Sequence, residues 1–310
     1  MKERLTMDCG ALYLSKGKSE NFQGDDAHFV CAAKGTIGVA DGVGGWWSRN
    51  VDPGKYARQL MQNCVEAIKD RAGEKDIDPK TVLLKAYNET KLEGSSTACI
   101  LTLKNNHLHA ANLGDSGFLV IREGEVVYKS PIQQYEFNHP YQLGKNIPDW
   151  KKIEELKVPV KLGDIIVMGT DGLLDNLRPS DIKAIVNNHL SQKEEEQCTE
   201  RGEEQSKKKE VDPEAIAEEI LQFAYTASTD GNAFTPFAEA SFTAGTEHFR
   251  MGGKRDDITV IVARVCRASH SSTLLLKDDH CSAVKLIPGK ATDAYPPPDI
   301  SCAEGGVILF

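Results

Sequence analysis

The sequence predicts an α+β layered fold, with two antiparallel sheets packed face to face and helices over each, a four-layer α/β/β/α sandwich. Three observations predict it. Short β-rich runs follow one another through the middle of the chain without the strict strand–helix alternation of a parallel fold. Amphipathic helical stretches come in two separate pairs, one on each side of those runs. Four acidic segments sit beside Gly or at the edge of an apolar run: Gly24-Asp25-Asp26, Asp41-Gly42-Val43-Gly44-Gly45, Gly169-Thr170-Asp171-Gly172-Leu173-Leu174-Asp175 and Arg255-Asp256-Asp257. A sheet that presents carboxylates at one end of its strands has this pattern.

Residues 27–33 and 36–40 are short β-rich runs joined by Lys34-Gly35, and read as a hairpin. Asp52-Pro53 then marks a helix start, with Tyr56, Leu60, Cys64, Ala67 and Ile68 at helical spacing and Ala72-Gly73 as the stop. Pro79 opens a second helix, whose apolar stripe is Val82, Leu83, Ala86 and Tyr87. Residues 95–103, 107–113, 118–122 and 126–129 read as strands, divided by Lys104-Asn105-Asn106, Gly114-Asp115 and Glu123-Gly124. A buried strand follows at 160–168, helices at 179–190 and 213–227, and a closing strand at 258–265. The expected organisation is an N-terminal segment 1–20, a folded domain 21–266 carrying a polar surface insertion at 191–210, and a disordered tail 267–310 that ends in Pro-rich sequence. No internal repeat is present.

A charged content of 27% and an apolar content of 40% are ordinary for a soluble globular protein, and 310 residues allow one large domain or two smaller ones. The net charge of −9 argues against nucleic-acid binding, which needs a basic face. No apolar run is long enough for a transmembrane segment. The first ten residues carry Glu3 and Asp8 and lack a secretory apolar core. The eight cysteines show no CxxC or zinc spacing, and Cys31, Cys64, Cys99 and Cys266 lie in apolar stretches that suit reduced, buried thiols in an intracellular compartment.

Carboxylate oxygens unaccompanied by Cys or His suit hard cations such as Mg²⁺ or Mn²⁺. Several converging carboxylates suggest a two-metal hydrolytic site. The net acidity is compatible with a phosphorylated substrate only if bound cations screen it, so the two features support each other.

A single Asp-Gly is ordinary turn chemistry; several in one order, with strands between them, are specific. Over roughly 24–265 that order resembles the metal-dependent protein phosphatases of the 2C type. Gly94-Ser95-Ser96-Thr97-Ala98, Ala111-Asn112-Leu113-Gly114-Asp115-Ser116-Gly117, Gly252-Gly253-Lys254-Arg255-Asp256-Asp257-Ile258-Thr259 and Asp41-Gly42-Val43-Gly44-Gly45-Trp46 resemble the branch that includes mitochondrial phosphatases and related plant enzymes. The resemblance implies hydrolysis of phosphoserine and phosphothreonine in protein substrates by direct attack of water activated by two Mg²⁺ or Mn²⁺ ions. It makes Asp41 the aspartate that bridges both ions and gives the Gly42 carbonyl to the second. It makes Asp171 and Asp256 ligands of the first ion and puts Asp25 where the family has Glu, on the second. Asp26 orients the attacking water, so Asp41 and Asp26 are the catalytic candidates. Asp115 and Asp175, with Asp171, resemble the ligands of a weaker third cation.

Three departures stand against the family pattern. Val43 replaces the His that often follows Asp-Gly, although the mitochondrial branch shares this Val. Asn21 stands near the position of the phosphate-binding Arg, and Asp257 replaces the usual Asn. His28 and Arg49 are weak substitutes for the missing acid and clamp. Trp46-Trp47 fits either the cleft rim or a core anchor, and His107 with His109 reads as an ordinary strand pair. A monomer is expected. The resemblance implies mitochondria, and the cytosol is the alternative because no presequence is visible. Two other readings stay open: a non-catalytic binding relative, and a phosphatase of a small metabolite.

Overall fold

The computed structural model describes residues 4–17, 23–71, 77–199, 211–245, 249–268 and 282–283. Asn21, the Ala72-Gly73 stop, residues 200–210 of the expected insertion and most of the expected tail lie outside them.

Strand β1 (Leu5–Leu14) belongs to a segment that the sequence reading leaves outside the folded domain. Met7 faces the space between the sheets and Leu14 the outer helices, so both faces are apolar. Thr6, Asp8 and Gly10 dilute that pattern in sequence. β2 (Asp26–Cys31) and β3 (Thr36–Asp41) form the expected hairpin, turned through Gly35. α1 (Pro53–Lys69) and α2 (Pro79–Glu89) follow, and the Asp78 carboxylate caps α2 by accepting from Thr81 N at 2.9 Å.

The run continues with β4 (Ser95–Ser96), β5 (Ala98–Lys104), β6 (His107–Leu113), β7 (Gly117–Arg122) and β8 (Glu125–Lys129). The short pieces β9 (Gln134–Glu136), β10 (His139–Pro140) and β11 (Leu143–Gly144) come next, then β12 (Glu154–Pro159) and β13 (Ile165–Gly169). The sequence reading makes 160–168 one strand. The structure breaks it, because Asp164 N donates to Lys161 O in a tight turn with Gly163 at φ 88°. The rest of the chain supplies α3 (Asp171–Leu174), α4 (Pro179–Thr199), α5 (Pro213–Thr229), α6 (Pro236–Thr243), β14 (Ile258–Arg267) and β15 (Ser282–Ala283). α4 runs nine residues past its expected end into the Glu/Lys/Gln stretch, whose residues are good helix formers.

Two antiparallel sheets result, β1-β14-β13-β7-β8 and β12-β6-β5-β3-β2-β15. Strand alternation divides the apolar side chains among three layers. Phe29 and Ile100 point to α1 and α2, Leu101, Ile261 and Ala263 fill the space between the sheets, and Val260 and Val262 point to α4 and α5. This is the predicted four-layer arrangement. Cys64 and Cys99 are buried and free as expected, whereas Cys31 is disulfide-bonded, which corrects the reduced-thiol reading there. Among the described residues no helix is long and apolar enough to cross a membrane.

Candidate metal centre

The site sits where β2 begins, β3 ends, β13 ends and β14 begins. Asp26 and Asp41 are direct cross-strand partners in the β2–β3 ladder. Their carboxylates are therefore side by side because of register alone. Asp26 is 3% exposed, and its Oδ2 accepts from Thr170 Oγ1 and Thr259 Oγ1, each at 2.7 Å. Those hydroxyls come from the other sheet's strand ends, so one carboxylate ties the two sheets together.

Thr170 precedes the single turn of α3, and Asp171 is its first residue. A Cβ on Gly172 would lie 1.9 Å from Asp257 O, so only glycine lets α3 press against the start of β14 and bring Asp171 beside Asp256. Gly42 obeys the same logic. A Cβ there would sit 2.7 Å from Asp25 O and from Pro53 O, while Gly42 N donates to Asp25 O at 3.0 Å.

Two lysines thread between the acids. Lys254 Nζ bonds Asp171 Oδ2, lies 3.0 Å from Asp175 Oδ2 and 3.4 Å from Asp256 Oδ2. Its backbone is pinned by Asn176, whose Oδ1 accepts from Lys254 N at 2.9 Å and whose Nδ2 donates to Lys254 O at 2.8 Å. Lys16, just beyond β1, places Nζ 2.8 Å from Asp256 Oδ1 and 3.1 Å from Asp25 Oδ2. Asp257, the residue that departs from the family pattern, accepts from Lys16 N and Asp25 N and so fixes the loop that carries Asp25. Trp47 Nε1 donates to Asp25 at 3.1 Å. Asp115, in the turn after β6, accepts from Gln134 Nε2 at 2.8 Å.

The electrostatics reveal where charge is unbalanced. Burial, and then the carboxylates of Asp171, Asp26, Asp256 and Asp115, push the Asp41 carboxyl well up. Burial and Asp257 do the same to Asp26. Asp115 is pushed up to about 7 by burial and Asp171, and Asp175 to about 6 by burial, with Lys254 partly offsetting it. Asp256 runs the other way. Burial would raise it, but Lys254 and Lys16 outweigh that and hold it below the usual carboxylate range.

All the predicted aspartates thus lie around one strand-end edge, linked by hydrogen bonds, lysine bridges or mutual repulsion. They do not form a bare cage. Among the described residues no three His, Cys, Asp or Glu side chains stand in a metal-holding group. Yet Asp26 Oδ1, Asp115 Oδ1 and Asp171 Oδ1 are buried carboxylate oxygens without a partner. Bare carboxylate oxygens in an all-oxygen donor set fit a hard divalent cation.

Sequence reasoning missed Lys16, Lys254, Asn176 and the threonine pair. Lys254 stood two residues before Asp256 inside a quoted motif, whereas nothing in the sequence marks Lys16. The weaker candidates resolve as structural. His28 is buried and neutral against Tyr13, its pKa pushed down to about 4 by burial. His107 and His109 lie side by side on β6, their rings tilted with centroids 6.4 Å apart. Arg49 lies over the Trp46 ring at 5.2 Å.

No family model matches the chain. It is 44% identical to probable protein phosphatase 2C 55 of Arabidopsis thaliana, over 84% of this chain and 52% of that protein. It is 38% identical to the protein phosphatase PTC7 homolog of Homo sapiens, over 78% of this chain and 79% of that protein. The X-ray structure of the photosystem II phosphatase PBCP matches at TM-score 0.71 and 27% identity, covering 83% of this chain and 98% of that one. The catalytic domain of the serine/threonine phosphatase PstP, in complex with two manganese ions, shares the fold at TM-score 0.53 and 15% identity, over 85% of this chain and all of that one. The chain spans about half the length of the plant relatives that match it.

Proposed function

Since the chain belongs to the protein phosphatase 2C family, we propose that it is a metal-dependent serine/threonine protein phosphatase. The observation that carries this is the set of buried, partnerless carboxylate oxygens around Asp41. Two Mg²⁺ or Mn²⁺ ions held there would lower the pKa of water and neutralise phosphoryl oxygens. Asp41, Asp25, Asp171, Asp256 and the Gly42 carbonyl are the residues to hold them, with Asp115, Asp171 and Asp175 for a weaker third.

The chain's own groups divide the remaining work. Asp26 has one oxygen fixed by two hydroxyls, so its bare Oδ1 is free to accept a hydrogen bond from the attacking water. The water oxygen attacks phosphorus as the water gives up a proton to solvent, the bond from phosphorus to the Ser or Thr oxygen breaks, and the departing alkoxide takes a proton. Val43 offers none and His28 is buried, so solvent water supplies it. Burial pushes the Cys64 and Cys99 thiols up, which suits a reaction without a cysteine nucleophile.

Phosphate release from a phosphothreonine peptide in EDTA, Mg²⁺ or Mn²⁺ tests this. Activity restored by metal and abolished in Asp41→Ala is expected; folded, metal-loaded protein with no turnover sinks it. The lysine bridges favour a second reading, a binding relative whose acids are already neutralised, and that outcome would select it. The likeness to the PTC7 homologs supports a mitochondrial setting, which imaging of a full-length fusion checks.

A further inference from the structure

Beside the acid cluster runs an open groove of about 830 Å³, and its charge is the reverse of its neighbour's. Arg49, Lys91 and Lys145 line it against a single acid, Glu93, in a chain whose net charge is −9. All three cations are exposed, and none forms an ion pair with a described residue. Elsewhere on the surface Lys80, Lys85 and Lys183 do find acids, Glu155, Asp70 and Glu125. The Lys91 side chain donates to the Asn88 carbonyl, and Arg49 rests on the Trp46 ring. Val43, Trp46 and Ile147 add apolar surface to the lining.

One short 3-10 turn joins groove and cluster. Trp46 anchors its groove side by donating from Nε1 to Ser95 Oγ at 2.6 Å, while the next residue, Trp47, donates to Asp25. Val43 lines the groove and is two residues from Asp41, at most about 7–8 Å along the chain. An extended peptide advances ~3.3 Å per residue. A peptide whose phosphoresidue reaches the cluster therefore lays neighbouring positions, about two to four residues away, over these cations.

We infer that this groove selects phosphopeptides carrying Asp or Glu about two to four residues from the phosphoresidue. The inference rests on the phosphatase reading of the adjoining site. Physically, the overall negative charge repels acidic peptides, and the three unpaired cations locally reverse that field.

The test is fluorescence anisotropy of two labelled peptides carrying a non-hydrolysable phosphonate in place of phosphothreonine, one flanked by Glu and one by Lys, with the protein in Mn²⁺. Binding is read without turnover, so a protein that hydrolyses nothing still answers, and aryl phosphate hydrolysis in Mn²⁺ reports separately on the phosphatase reading. Wild type is expected to prefer the Glu peptide by about tenfold, which corresponds to about 1.4 kcal/mol. Lys91→Glu combined with Lys145→Glu, both exposed, should erase or invert the ratio, and added salt should shrink it. Equal binding of the two peptides by wild type, or an unchanged ratio in the double variant, overturns the inference.

Discussion

Strand β13 has a buried aspartate just before it and another just after it, and the two are treated in opposite ways. Asp164, before Ile165, is 1% exposed, and both of its oxygens are used. Arg122 clasps it through Nε at 2.9 Å and Nη2 at 2.7 Å, and Lys161 N donates to Oδ2 at 2.8 Å. Asp171, two residues after Gly169, is 7% exposed and keeps Oδ1 bare. Folding alone explains Asp164, since a buried charge persists when it is paired and hydrogen-bonded. No described residue partners the free oxygen of Asp171, Asp26 or Asp115. Strand β13 thus has an acid with both oxygens partnered at one end and an acid with a bare oxygen at the other, a difference that the proposed metal binding would account for.

The largest effect should come from exchanging roles across that strand. Asp171→Asn is expected to lower metal-dependent phosphate release by about a thousandfold or more, as loss of several kcal/mol of transition-state stabilisation implies. Its stability in EDTA should stay within about 1 kcal/mol of wild type, since it relieves repulsion. Asp164→Ala should do the reverse, costing about 3 kcal/mol in denaturant unfolding while activity per folded molecule is kept. Loss of activity without loss of stability in Asp164→Ala would erase the contrast.

The next effect concerns protons. Cations bind ionised carboxylates, and Asp175 near 6 and Asp115 near 7 must first release theirs. These raised values mean that the metal-free fold binds more protons than the unfolded chain between the ordinary carboxylate range and 7. Their contribution to stability is present at low pH and is lost as pH rises through that window. Bound metal removes the penalty, so the rise in Tm produced by Mn²⁺ should grow steadily from about pH 5.5 to about pH 8. His28 acts oppositely below its ordinary 6.5, so the increment, rather than the Tm itself, is the quantity to read. A flat increment would contradict the unsatisfied-acid account.

Lys254→Met sharpens the comparison further, because Lys254 supplies the acid cluster with the kind of partner that Arg122 gives Asp164. Freed of that competitor, Asp171, Asp175 and Asp256 should bind Mn²⁺ about tenfold more tightly by calorimetry, while the metal-free protein loses stability. Weaker binding would mean that Lys254 positions the acids. The smallest effect is expected of Trp47→Phe, which deletes one hydrogen bond to Asp25, worth about 1 kcal/mol. It should shift the metal concentration for half-activity several-fold and leave Tm nearly unchanged.

Much of this was legible in the sequence where a local rule operates. Short β-rich runs between turn residues placed the hairpin and the meander, and the Asp-Gly segments marked the strand ends that meet. Lys16 and Asp257 were not legible as partners, because 241 positions separate them and only the sandwich brings them together. β1 escaped notice although Leu5, Met7, Cys9 and Ala11 alternate with Thr6, Asp8 and Gly10, because the strand it pairs with, β14, is distant in the chain. β12 escaped because Glu154, Glu155 and Lys157 make an edge strand look like a loop. The end of α4 was misjudged because polar helix formers resemble a linker when no apolar face marks them.

The ladder of β1 against β14, from Leu5 opposite Arg267 to Leu14 opposite Ile258, has a consequence for how the protein is made. β1 leaves the ribosome long before its partner β14, and Lys16 meets Asp256 only when that ladder closes. A nascent chain interrupted between residues 41 and 255 holds Asp26 and Asp41 but neither Asp256 nor Thr259. The acid edge is therefore assembled only once β14 has been made, and a product cut just before residue 256 carries helices α1 to α6 and strands β1 to β13 without the completed cluster.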